Sequence, residues 1–96
     1  MHIQLFAIFD SKAEAYLQPF FFEKSAQAIR AITDLTQDPK HMFCKHASDY
    51  TLFHIGQFDN LTAELLIQDK YAIANLLELR SDPEPPGQLF PQEPIT

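Results

Sequence analysis

The runs Tyr50-Thr51-Leu52-Phe53-His54-Ile55-Gly56-Gln57-Phe58 and Ala63-Glu64-Leu65-Leu66-Ile67-Gln68, joined through Asp59-Asn60, decide the fold. The first run is rich in β-branched and aromatic residues, which fit a pleated, half-buried surface. Asp59-Asn60 supplies turn chemistry, because short Asx side chains bond their own backbone. The second run then returns antiparallel to the first as a hairpin. Two strands alone are marginal in water, so this hairpin needs partners elsewhere in the chain.

Those partners lie upstream. Ile3-Gln4-Leu5-Phe6-Ala7-Ile8-Phe9 is apolar on both faces, as expected of a central strand covered on two sides. Asp10-Ser11-Lys12 breaks it, and Tyr16-Leu17-Gln18-Pro19-Phe20-Phe21-Phe22 reads as a second strand. Pro19 has no N–H for a ladder, so that strand belongs at an edge or carries a bulge. Residues 24–37 read as a helix. Ser25 is a suitable N-cap, Ala28, Ile32 and Leu35 fall at i, i+4 and i+7 with Ile29 beside them, and Arg30, Thr33, Asp34 and Gln37 oppose them. Asp38-Pro39 ends it.

Residues 40–49 read as a polar loop, and Tyr71 to Leu79 as a short helix presenting Ile73, Leu76 and Leu77. The order ββαββα makes this an α+β fold: a small antiparallel sheet with one main helix packed on it. Residues 1–80 form a single domain. Residues 81–96 hold five of the seven prolines and read as a proline-rich, extended or disordered C-terminal tail, with Leu89 and Phe90 as apolar anchors.

Size and charge narrow the function classes. Ninety-six residues with 46% hydrophobic content support one modest core, rich in aromatics: nine Phe and three Tyr, with no Trp. A chain this short can complete its core as a homodimer. The formal net charge of −6 argues against a protein that coats DNA by neutralising phosphates. The charge is uneven, however. Residues 1–50 hold five bases and six acids, whereas residues 51–96 hold two bases and seven acids, so a polyanion would prefer the first half. Cys44 is the lone cysteine, which excludes an intramolecular disulfide and fits a reducing compartment. No apolar run approaches the ~18–20 residues of a membrane span, and the start lacks the pattern of a secretory signal. The reading is a cytosolic protein with no membrane partner.

Reaction chemistry finds little support. His41, Cys44 and His46, with His54 as a fourth, are zinc-ligand types, but their spacing matches no zinc module and only one thiol is offered. No metal is expected. Cys44, His46 and Asp49 lie on one loop, without the fixed orientation that a nucleophilic triad obtains from separate elements. The glycines are Gly56 and Gly87, so there is no phosphate-cradling loop. The chain is therefore read as non-enzymatic and free of cofactors.

Binding chemistry remains. Tyr16 and Phe20 are candidates for stacking on bases, with Lys12 and Lys24 nearby for phosphates; Lys40 and Lys45, beside His46, make the densest basic cluster. Against this stands the simpler reading that alternate rings of the Phe20-Phe21-Phe22 run are core and interface.

Several segments resemble a known family. Phe6-Ala7-Ile8-Phe9-Asp10-Ser11-Lys12-Ala13 followed by Tyr16 and Pro19-Phe20, then Ala28-Ile29-Arg30 with Asp34, then Phe43-Cys44-Lys45-His46 leading into residues 49–59, are similar to the small nonstructural protein of gokushoviruses. These are single-stranded DNA phages of the microvirus family, and the protein is the product of their fifth open reading frame. The resemblance implies a non-capsid protein acting in the host cell cytoplasm in single-stranded DNA genome synthesis or packaging. Its implied partners are single-stranded DNA and the phage or host replication and packaging proteins. The chain departs from the family at the hairpin turn, where a Gly often follows Thr and Thr62 is here followed by Ala63.

Overall fold

The computed structural model describes residues 1–80 of the chain; the proline-rich tail expected over 81–96 lies outside the described residues. The first apolar run forms β1 (His2–Asp10), and the turn after it leads into β2 (Ala15–Tyr16) and β3 (Phe20–Phe22). These two short strands are one strand interrupted. In β2, Tyr16 sits opposite Phe9, and Leu17 still donates its N–H to the Ile8 carbonyl at 2.7 Å. In β3, Phe20 sits opposite Phe6, one residue out of step. The extra residue falls at Gln18-Pro19, where the chain lacks an N–H to keep the ladder. Pro19 thus lies on an edge and at a bulge, as its chemistry requires.

On its other side β1 pairs with β4 (Tyr50–Asp59), with Ile8 opposite Leu52 and Phe6 opposite His54. The outer strand is β5 (Leu65–Asn75), so the sheet runs β2/β3, β1, β4, β5, and every pairing is antiparallel. Helices α1 (Ser25–Thr36), α2 (Met42–Lys45) and α3 (Leu76–Arg80), with a 3-10 turn at Ala47–Asp49, complete the α+β fold. The core packs Phe6, Ile8 and Leu52 of the sheet against Ala28 and Ile32 of α1 and Leu76 of α3. The helical stripe read from the sequence is the buried one, with Ile29 and Leu35 packed at its margin. The N-cap is Lys24 rather than Ser25, because the Gln27 side chain three residues on accepts the Lys24 N–H at 3.0 Å.

Two local expectations change. Residues 40–49 are not a polar loop. Phe43 and Ala47 are buried, and α2 is capped by His41, whose Nδ1 accepts the Phe43 N–H at 3.0 Å. Residues 71–75 are not helical either, since they extend β5 alongside β4. Helix α3 starts only at Leu76, where Asn75 makes a capping box. Its Oδ1 accepts the Leu77 N–H at 3.0 Å, while Glu78 Oε1 accepts the Asn75 N–H at 2.8 Å. Asn75 also donates through Nδ2 to the Ser48 carbonyl at 3.1 Å, tying the helix start to the entrance of β4.

The hairpin turn is organised by Asp59. Its carboxylate accepts the Leu61 N–H at 2.9 Å, and that bond is the main reason its carboxyl is held below the usual range. The chain then passes through Ala63 at φ 66°, in the left-handed region where a Cβ is strained. Ala63→Gly relieves that strain. The expected outcome is a gain of about 1 kcal/mol, seen as a raised midpoint in urea unfolding with an unchanged slope. A loss of stability would contradict the backbone geometry described for this turn.

Candidate functional site

Paired residues on neighbouring strands share a face of a sheet, so the registers sort every side chain. Phe6, Ile8, Leu52 and His54 point to the helices. Leu5, Ala7 and Phe9 of β1 point the other way, together with Phe21 opposite Leu5, Tyr16 opposite Phe9 and Phe53 opposite Ala7. Among the described residues no helix covers this second face. β1 is central, as expected, but its outer face is shielded by side chains of its own sheet instead of a second layer. Leu5 and Ala7 are still only 5% and 3% exposed, because neighbouring rings close over them.

Those rings form two groups. Tyr16 packs on Phe9 at 4.9 Å between centroids and on Phe53 at 5.5 Å, while Phe21 meets Phe58 at 5.8 Å. Tyr16 and Phe21 nevertheless remain 42% and 49% exposed, so each keeps ring surface open to solvent. Between the strands, Ala7 lies in a depression of about 320 Å³ bordered by Tyr16, Leu17, Pro19, Ile55 and Lys70. The floor is low because residue 7 is alanine. One rim is aromatic, and the opposite one carries an ammonium group. A concavity of this size, apolar with one placed charge, can hold one flat ring and steer an anion beside it.

The candidates drawn from the sequence are distributed unevenly about this face. Tyr16 is on it. Phe20 is on the opposite side, its ring stacked on Phe6 at 5.8 Å and packed into the helical core. The bulge at Gln18-Pro19 is the cause: it turns Phe20 inward and Phe21 outward, so Phe21 is the neighbour Tyr16 has on the open face. Lys12 sits in the turn after β1, where its N–H bonds Asp10 Oδ1 at 3.0 Å. Lys24 caps α1, Lys40 precedes α2, and Lys45 is the last residue of α2. None of these four lysines lines the Ala7 depression; Lys70 does, and sequence reasoning passed over it. Its signal was faint, one of two bases in an acidic half of the chain.

The zinc-type residues do not assemble. His41 is engaged in capping α2, and Cys44 lies half-buried on that helix with its carbonyl accepting Arg80 Nη1 at 2.6 Å. His54 belongs to the sheet. Its Nε2 meets Gln4 Oε1 at 2.8 Å, an oxygen that accepts, and its ring lies 5.5 Å from Phe6 and 5.2 Å from Tyr71. Burial pushes this imidazole below its ordinary value, disfavouring its charged form, and its Nδ1 is buried without a hydrogen-bond partner. Among the described residues no group of three His, Cys, Asp or Glu side chains is placed to hold a metal ion.

A family model described as Phage ORF5 protein matches residues 3–79. The chain belongs to that family. The match spans β1 through the greater part of α3, and so includes the open aromatic face, the Ala7 depression and the whole β4–β5 hairpin. No curated protein and no solved structure matches the chain. No helix among the described residues is long and apolar enough to cross a membrane. As a member of the Phage ORF5 protein family, the chain is a phage accessory protein.

Proposed function

We propose that this Phage ORF5 protein is a non-catalytic accessory factor in single-stranded DNA genome synthesis and packaging. It works in the host cytoplasm and holds DNA weakly or with a partner's help, through the helix-free face of its sheet. The observation that carries this reading is Tyr16, half-exposed beside the Ala7 depression with Lys70 on the far rim. Every base has a π-face, so a ring on an open sheet binds single strands with little regard for sequence. Lys70 adds a phosphate contact. The charge balance explains why the grip is weak: residues 1–80 carry seven Lys and Arg against ten Asp and Glu.

Titrating labelled oligothymidylate against the full chain over a range of salt tests this directly. Binding should loosen as salt rises, since a phosphate contact releases a counterion. Tyr16→Ala should lower affinity roughly tenfold or more, because a stacked base is worth ~1–3 kcal/mol. Lys70→Gln should flatten the salt dependence by about 0.7 in slope. An affinity untouched by Tyr16→Ala, or no binding at low salt, defeats the proposal.

A second reading draws on a different observation. The outer strand β5 exposes Leu65, Leu66 and Ile67, an apolar edge suited to another polypeptide. On this reading the protein is a dimeric interaction module that engages phage or host replication and packaging proteins without touching DNA. Absence of a nucleic-acid shift at low salt, together with a stable dimer, would favour it.

A further inference from the structure

Helix α1 and the β2/β3 edge leave a groove of about 370 Å³ between them. Phe20 and Phe22 of the edge, Ala31, Ile32 and Leu35 of α1, and Phe43 of α2 wall it. Apart from Gln18 its lining is apolar, so a hydrophobic side chain entering it leaves water without stranding a polar group.

The described chain ends near this groove. Arg80, the last residue of α3, is tied down twice. Its carbonyl accepts a hydrogen bond from Gln37 Nε2 at 3.3 Å, and its Nη1 donates to the Cys44 carbonyl at 2.6 Å. Gln37 is the C-cap of α1, two residues beyond Leu35, and Cys44 adjoins Phe43 in α2. Residues 81–96 therefore start from a fixed point close to the Leu35 and Phe43 wall.

We propose that the chain's own C-terminal segment covers this groove, with Phe90 inserted between β3 and α1 and Leu89 against the rim. This goes beyond the DNA reading and concerns the helical side of the sheet, not the open face.

Length permits it. Leu89 comes nine residues after Arg80, and an extended proline-rich chain advances ~3.1 Å per residue, a reach of roughly 28 Å. Passing half-way round a helix about 10–12 Å in diameter takes roughly 16–19 Å.

The residues suit it. Within 81–96, Leu89-Phe90 is the one adjacent pair of large apolar residues, with Pro86 before it and Pro91 directly after. Pro91 restricts Phe90 to extended backbone, and prolines along the segment reduce the freedom lost on docking.

Charge favours the route. The segment holds Asp82, Glu84 and Glu93 and no base. From Arg80 it passes α2, where Lys45 in the helix and Lys40 before it are both exposed. Asp82 and Glu84, two and four residues past Arg80, fall within reach of these ammonium groups.

NMR of the isotope-labelled full chain, without nucleic acid, reads the outcome. Nuclear Overhauser contacts should join the Phe90 ring to the methyl groups of Ala31 and Leu35. Phe90→Asp should abolish them, shift both methyl signals and lower the melting temperature by roughly 4–8 °C. Ile95→Asp, in the same segment but past the anchor, should change none of these. In a mixture of labelled and unlabelled chains the contacts should stay within one chain. Absence of contacts to Phe90 overturns the proposal. So do equal effects of Phe90→Asp and Ile95→Asp, or contacts that cross only between chains, which would assign the groove to a second copy. With no DNA in the sample, each of these failures leaves the Tyr16 reading untouched.

Discussion

Phe6→Ala is expected to remove about 3–5 kcal/mol of stability, the cost of emptying a large aromatic site in a packed interior. Phe6 has no exposed surface, and it is the residue on which the layers meet. Phe20 lies 5.8 Å from it, Phe22 6.5 Å and His54 5.5 Å, and α1 closes over the same cluster. A domain of this size has roughly 4–12 kcal/mol of stability in all, so the variant should melt some 15–30 °C lower or fail to stay folded. Phe21→Ala is the control. It truncates the same side chain one strand away on the open face, and should cost no more than about 1 kcal/mol. Thermal unfolding followed by circular dichroism distinguishes them. Equal losses for the two would mean that the helices cover the other side of the sheet.

Gly56→Ala should damage the outer hairpin out of proportion to one methyl group. A Cβ built on Gly56 would sit 2.5 Å from the Leu66 carbonyl oxygen and 3.6 Å from its carbon. Both are backbone atoms of β5, so no side chain can swing aside. The strand must move away, at about 1–3 kcal/mol, the usual cost of forcing extra volume into a filled site. The loss should be local. Hydrogen exchange is expected to quicken in β5 around Leu66 and in Gly56-Gln57-Phe58, while the β1 amides facing β3 keep their protection. Uniform protection in the variant would contradict the close approach of the two backbones.

The elements that could be read from residue order are those with strong local patterning. β1, the hairpin and the buried stripe of α1 follow from apolar periodicity and Asx turn chemistry. Pro19 announced its own bulge, but the consequence of the bulge was hidden. In Phe20-Phe21-Phe22 every residue is apolar, so alternation carries no information about which ring is buried. The single-residue slip beside Pro19 decides it, giving Phe20 to the core and Phe21 to the open face with Tyr16. The end of β5 is hidden in the sequence for a related reason. Ile73, Leu76 and Leu77 have helical spacing, yet β5 keeps residues 71–75 because β4 offers a partner along their length. Asn75-Leu76-Leu77-Glu78 held the legible clue, a capping box that starts the helix at Leu76. The open face was the least visible feature. A central strand apolar on both sides implies two covering layers, and only pairing registers reveal that its own neighbours shield one side. Lys70 could not be joined to Tyr16 from order alone, since they border one depression with two strands, β1 and β4, between them.

The most direct test of the account maps the backbone amide signals of the full chain by NMR as oligothymidylate is added. The open-face account predicts that the signals that move belong to Ala7, Tyr16, Phe21, Ile55 and Lys70, with α1 undisturbed. Movement confined to Lys40 and α2 with its Lys45, or none at any ratio of DNA, would contradict it.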